Sequence, residues 1–203
     1  MAKFDKDLLL ENKNYKVINI KFLDVNFEFI SANSNLTKSK KMDDGSYFIL
    51  DTLYKNIKGK TNLELNFNLG YISLILAKLF KDKKFYIYEN NKEIIDFIEF
   101  NRFNLNVASK VNILKFDYLK DVENYKFDNI FLKTSTKISI DELNKIFTSL
   151  KLSLNKNGSL YILIKMIKGA IVIYKVLENV FGENNIKIIN QNTTYQIIQA
   201  ENK

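Results

Sequence analysis

From Thr61 to the end of the chain, short apolar runs alternate with longer amphipathic stretches, and few folds accommodate that rhythm. Asn62 to Leu65, Phe85 to Tyr88, Val111 to Phe116, Asn129 to Leu132 and Ser159 to Ile164 read as strands. The stretches between them read as helices: Tyr71 to Phe80, Lys92 to Phe103, Ile140 to Leu154 ending at a turn over Asn155 to Gly158, and Gly169 to Phe181 stopped by Gly182. In the second of these, Ile94, Ile95, Ile98 and Phe103 have inward spacing. A strand, a helix and another strand in succession make a right-handed crossover, which yields a parallel sheet covered on both faces. Ile186 to Ile189 and Tyr195 to Gln199 close the chain as a hairpin through Asn190 to Thr194 and add an antiparallel edge. The expectation is an α/β domain, a Rossmann-like doubly wound seven-stranded sheet with its last strand reversed.

Upstream the period changes. Tyr15 to Phe22 and Val25 to Ile30 alternate in strand fashion around a turn at Leu23-Asp24, which makes a β hairpin. Asp44 is placed to cap a helix from about Gly45 to Ile57. This divides the chain into an N-terminal hairpin extension, residues 1–41, and the main domain, residues 42–203. The hairpin suits either a substrate-contacting extension or a dimer edge.

Composition narrows the chemistry. With 203 residues, 46% of them hydrophobic, the chain can bury a full core. No apolar run reaches the roughly 18–20 residues of a membrane helix, and Met1 to Asn14 lacks the features of a signal peptide, so a cytoplasmic protein is expected. There is no Cys and no His, which removes thiolate nucleophiles, imidazole bases and the usual zinc sites, and no metal is expected. Nor is there any proline. The net charge is +8, and Arg102 is the single arginine among 31 basic residues. Lysines neutralise phosphates without offering the bidentate fork that reads a base edge. A coding bias toward Lys, Asn and Ile accounts for the same composition.

Eight short segments in order resemble the class I S-adenosylmethionine-dependent methyltransferases, specifically the small-domain family that includes the rRNA guanine-N2 enzymes. They are Met42-Asp43-Asp44-Gly45-Ser46, Leu63 to Ile72, Tyr88-Glu89-Asn90-Asn91, Phe116-Asp117-Tyr118-Leu119, Lys126 to Ile130, Leu154 to Tyr161, Lys168-Gly169-Ala170 with Tyr174, and Phe181-Gly182 with Tyr195 to Ile198. The resemblance runs from about Asn33 to Ala200. It implies the class I methyltransferase fold, S-adenosylmethionine as cofactor and ribosomal RNA as a partner, with pairing to a second methyltransferase domain or a homodimer as further forms.

The resemblance also implies which residues would hold the cofactor: Glu64, Asn66, Asn68 and Gly70 in the loop after the first strand of the domain, Glu89 for the ribose hydroxyls and Asp117 for the adenine amine. The family's loop reads Asp-Leu-Gly-x-Gly-x-Gly, and here two of the three glycines are asparagine, the residue after glycine most tolerant of left-handed backbone. Its catalytic Asn-Pro-Pro is replaced by Lys133-Thr134-Ser135. An ammonium offers three donors and no acceptor, so Lys133 cannot receive the hydrogens of an exocyclic amine. Three readings stay open on this evidence: a guanine-N2 methyltransferase, a non-catalytic RNA- or protein-binding module, and a methyltransferase with another acceptor.

Overall fold

The computed structural model describes residues 15–32, 42–67, 69–115, 119–134, 138–166 and 170–203. Asn68, Asp117 and Ser135 therefore lie outside the described residues.

Two antiparallel strands come first, β1 (Tyr15–Phe22) and β2 (Val25–Ala32). Their turn is two residues long, with Leu23 and Asp24 at φ 48° and 28°, the left-handed pair that matches the twist of a hairpin. Helix α1 (Asp44–Asn56) follows, then β3 (Thr61–Leu65), α2 (Tyr71–Leu79), β4 (Lys84–Tyr88), α3 (Lys92–Asn104) and β5 (Val111–Leu114). A 3-10 helix (Leu119–Asn124) leads to β6 (Phe127–Lys133), α4 (Ile140–Leu152), β7 (Leu154–Lys165), α5 (Ala170–Phe181), a second 3-10 helix (Glu183–Asn185), β8 (Ile186–Gln191) and β9 (Tyr195–Glu201).

The main sheet has seven strands in the order β5-β4-β3-β6-β7-β9-β8. Strands β3 to β7 run parallel to one another, and β9 runs antiparallel to both β7 and β8. This is the doubly wound arrangement with a reversed last strand that the alternation of elements implied, and it is the class I methyltransferase arrangement that the resemblance implied. Strand order reverses beside β3, so the cleft of the domain lies where β3, β4 and β6 end.

Three local expectations change. The cap of α1 is Asp43, one residue earlier than expected, because its carboxylate and not that of Asp44 accepts from the amide of Ser46. Phe103 is 46% exposed, since α3 buries Ile95, Phe97, Ile98 and Phe100 and Phe103 lies beyond that face at the helix end. Helix α4 stops at Leu152, and the expected turn at Asn155 to Gly158 is instead the irregular start of β7, with Asn157 at φ 63° and a register shift opposite Phe127 and Asn129.

The core forms on both faces of the sheet. On one face, Ile18, Ile20, Phe22, Phe27 and Phe29 of the hairpin share a single cluster with Ile49 and Leu50 of α1 and Ile72 and Ile75 of α2. Asn101 of α3 fastens the hairpin there. Its side-chain oxygen accepts from Ile30 N at 2.8 Å, and its Nδ2 donates to Ile30 O at 2.9 Å, all of it buried.

Candidate active site

The loop between β3 and α2 makes its turn with left-handed backbone, at Asn66 (φ 65°), Leu69 (φ 51°) and Gly70 (φ 65°). Asn66 takes the conformation its residue type permits. Leu69 has no such licence, yet it is 2% exposed, so its burial offsets the strain of about 1–2 kcal/mol. Gly70 is required twice over: a Cβ there would need left-handed backbone and would lie 2.5 Å from Ile87 Cδ1.

Beneath the loop lies Glu64, on β3 and 1% exposed. Its Oε2 accepts from the amide of Ser73 at 2.6 Å, in the first turn of α2, where a carboxylate satisfies an otherwise orphaned donor. Glu64 Oε1 and Ser73 Oγ, and the Tyr71 hydroxyl elsewhere on α2, are buried with no hydrogen-bond partner among the described residues. Burial raises the Glu64 carboxyl to about 7, against the opposing pull of donors on Ser73 and Ile72. Glu64 thus holds the start of α2 against the sheet.

Glu89 follows the end of β4. Its Oε1 accepts from the amides of Asn90 and Asn91, both at 2.8 Å, and its second oxygen has no hydrogen bond among the described residues. Glu64, Asn66, Phe67, Leu69, Gly70, Ile87, Tyr88, Glu89 and Ile98 line one small cavity of about 10 Å³. That volume holds about one water. The structure therefore brings Glu64, Asn66, Gly70 and Glu89 together around one cavity.

At the end of β6 stand Lys133 and Thr134, the latter bonded from its amide to Leu163 O at 3.3 Å. Lys133 Nζ lies 3.0 Å from Asp43 Oδ1. Asp43 is held further by Ser46, whose amide donates to Oδ1 at 3.0 Å and whose hydroxyl donates to Oδ2 at 2.6 Å. Burial alone would raise the Asp43 carboxyl, but these donors and the lysine together keep it below the usual range. Tyr195, at the start of β9, lies against the same corner: a Cβ on Gly45 would sit 2.9 Å from its ring, and burial together with Asp43 and Asp44 raises its hydroxyl.

Asp43 is the residue that sequence reasoning passed over as a functional group, although its segment carried part of the resemblance. Its signal was the Asp43-x-x-Ser46 capping spacing; its partnership with Lys133 spans 90 positions and leaves no local trace. Among the described residues no group of three or more Asp or Glu is placed to hold a metal ion, and no helix is long and apolar enough to cross a membrane.

Comparison with known proteins agrees with this geometry. The sequence profile of the methyltransferase small domain matches residues 26–199. An uncharacterized protein of Bacillus subtilis (strain 168), YbxB, is 24% identical over 172 residues, which is 84% of each chain. Among solved structures, the T. thermophilus 16S rRNA N2 methyltransferase RsmC, in complex with AdoMet and guanosine, superposes with a TM-score of 0.75 at 16% identity. That match covers 94% of this chain and 51% of the other, so the chain spans about half the length of that enzyme. M. jannaschii TYW2 in complex with AdoMet gives 0.59 at 15% identity, covering 91% and 85%. At such identities the structural likeness is one of fold.

Proposed function

The chain belongs to the methyltransferase small domain family, and from that premise we propose that it binds S-adenosylmethionine beside the loop after β3, as a methyl-transfer domain derived from the rRNA guanine-N2 methyltransferases. The observation that carries this reading is the loop itself. Its left-handed turn survives the loss of the glycine at position 66 because Asn66 adopts that conformation, Leu69 adopts it as well, and Gly70 is retained where only glycine fits. Bound there, the cofactor would supply a methyl group activated on a sulfonium.

This chain's own residues supply the cradle. The loop backbone at Asn66 and Gly70 would face the ligand, Glu89 would offer an oxygen to its paired hydroxyls, and Glu64 keeps α2 in place from below without facing solvent. With only about 10 Å³ between them, the loop side chains must move outward to admit a nucleoside-sized ligand. Asp117 and Asn68 complete the proposed set from outside the described residues.

A second reading has a specific observation behind it. Lys133 stands where an amine-directing acceptor would be needed, and its ammonium is paired with Asp43. A domain that keeps the fold as an RNA- or protein-binding module without catalysis would have this appearance. Calorimetric titration with S-adenosylhomocysteine separates the two. Micromolar binding, weakened about tenfold or more in Glu89→Ala, is the expected result. A folded protein that takes up no ligand at millimolar concentration would leave only the binding module.

A further inference from the structure

A second cavity, of about 320 Å³, lies at the end of the sheet remote from the cofactor loop, where β3 and β6 begin and β9 ends. Small-molecule sites start at about 300 Å³. One wall is the irregular start of β7, where Asn157 N donates to Asn202 O and Gly158 O accepts from Asn202 N. Irregularities of this kind commonly border sites. The floor is polar and buried, with Asn129, Ser159 and Gln199 1%, 7% and 9% exposed. Asn129 gives its side-chain N–H groups to Lys58 O and Asn62 Oδ1, and Gln199 gives its own to Ser159 Oγ and Glu201 Oε1. The side-chain oxygens of both residues accept nothing among the described residues. An acceptor in such a place costs stability unless something donates to it, so the floor calls for a ligand with hydroxyl or amino hydrogens.

The rim is cationic. Lys58 and Lys156 line it, both exposed, and their side chains make no hydrogen bond or ion pair among the described residues. The two carboxylates in the lining are already matched. Asp128 accepts from the amides of Lys60 and Thr61, from the Thr61 hydroxyl and from Asn155 Nδ2. Glu201 lies 3.6 Å from Lys187 Nζ and 3.8 Å from Lys203 Nζ. Four lysines thus stand against two carboxylates, an excess of two positive charges at the mouth. Tyr161 is the single aromatic residue among those lining the cavity, and it is 2% exposed, with its ring against Phe131 and its hydroxyl donating to Asn56 O. No ring face is left on which a nucleobase could stack. We propose that this cavity is a second ligand site, separate from the cofactor loop, and that it takes a small phosphorylated sugar. The sugar hydroxyls donate to the side-chain oxygens of Gln199 and Asn129 on the floor, and the phosphate meets Lys58 and Lys156 at the rim. A bare anion would leave the floor acceptors unpaired, and a neutral sugar would leave both lysines unused. Binding there requires no methyl transfer, so it stands or falls apart from the cofactor reading.

The test titrates the whole chain with ribose 5-phosphate and, in separate samples, with ribose and with inorganic phosphate. Amide resonances of Gly59, Gly158 and Ser159 report this cavity, and those of Asn90 and Asn91 report the neighbourhood of Glu89. Ribose 5-phosphate is expected to saturate the first set below about 1 mM, at least about tenfold more tightly than either fragment. That affinity should be the same in Glu89→Ala and should weaken about tenfold when Lys58→Ala and Lys156→Ala are combined. Both lysines are exposed, so the pair of substitutions leaves the fold intact. Gln199→Met removes a floor acceptor and should weaken the sugar phosphate about tenfold while leaving inorganic phosphate unchanged. If Gln199→Met does not fold, the lysine variant and the two fragments decide. Inorganic phosphate binding as tightly as ribose 5-phosphate would reduce the site to a lysine patch and overturn the proposal. So would shifts confined to Asn90 and Asn91, no shift at Gly158 and Ser159, or native affinity in the lysine variant.

Discussion

A carboxyl buried at Glu64 couples the start of α2 to the pH of the solution. In the unfolded chain this group ionises near its ordinary value of 4.5; in the fold burial holds its proton to about 7. Between those values the folded protein binds more protons than the unfolded one, so stability falls as pH rises through this window and levels off above it. A shift of that size corresponds to about 3 kcal/mol. Glu64→Gln keeps the shape and removes the titration. The expected outcome, from urea unfolding at several pH values, is that native protein loses about 3 kcal/mol relative to Glu64→Gln between pH about 4 and 8. Parallel curves for the two proteins would mean that Glu64 is not buried as a titrating acid. At this scale the cofactor loop was partly legible. Asparagine at the glycine positions announced left-handed backbone, and Asn66 adopts it. Leu69 did not announce itself, because residue type argues against φ 51° and only tertiary burial, absent from any local pattern, compensates.

Elements were more legible than residues, for a reason visible in β3 and β6. Strands buried on both faces read as continuous apolar runs; Ile130 to Leu132 in β6 is one, and in β3 the buried Glu64 interrupts it between Leu63 and Leu65. Legibility failed where ends were concerned: Phe103 has helical spacing but lies past the buried face of α3, and the end of α4 was placed by a turn signal that the chain uses inside β7. How the hairpin joins the domain was equally hidden. The alternation in β1 and β2 showed that one face is apolar without showing what covers it. The answer includes Asn101, whose amide replaces two backbone partners for Ile30 across a gap of 71 positions. Replacing it with leucine fills similar space and leaves a buried N–H and a buried C=O unpaired, at about 1–3 kcal/mol each. Asn101→Leu is therefore expected to lower unfolding stability by about 2–6 kcal/mol in one cooperative transition, with faster hydrogen exchange at the Ile30 amide. A change under about 0.5 kcal/mol would show that the hairpin is held by its apolar face alone.

For the molecule as a whole, charge would set the terms of the proposed encounter with RNA. A net charge of +8 attracts a phosphate backbone, but the sign of a charge says nothing about sequence. Base reading in a groove or loop is mainly the work of arginine forks, and the single arginine is committed elsewhere. Arg102 donates from Nε and Nη2 to Glu99 Oε2 at 2.7 and 2.6 Å and from Nη1 to Val111 O at 2.7 Å, and its guanidinium lies 5.2 Å from the centre of the Phe103 ring. It ties α3 to the edge strand β5 and has only 18% of its side chain exposed. The lysines are spread as well: Lys60, Lys84 and Lys110 sit where parallel strands begin, and Lys133 and Lys165 where they end. Binding through such a surface is electrostatic and indifferent to sequence. Filter binding with short RNAs of unrelated sequence is expected to give affinities within about threefold of one another, all falling about tenfold or more between about 50 and 200 mM salt. Arg102→Ala should reduce thermal stability and leave those affinities nearly unchanged. A strong preference for one RNA that persists at high salt would contradict this, and would place a base-reading surface on lysine and asparagine side chains.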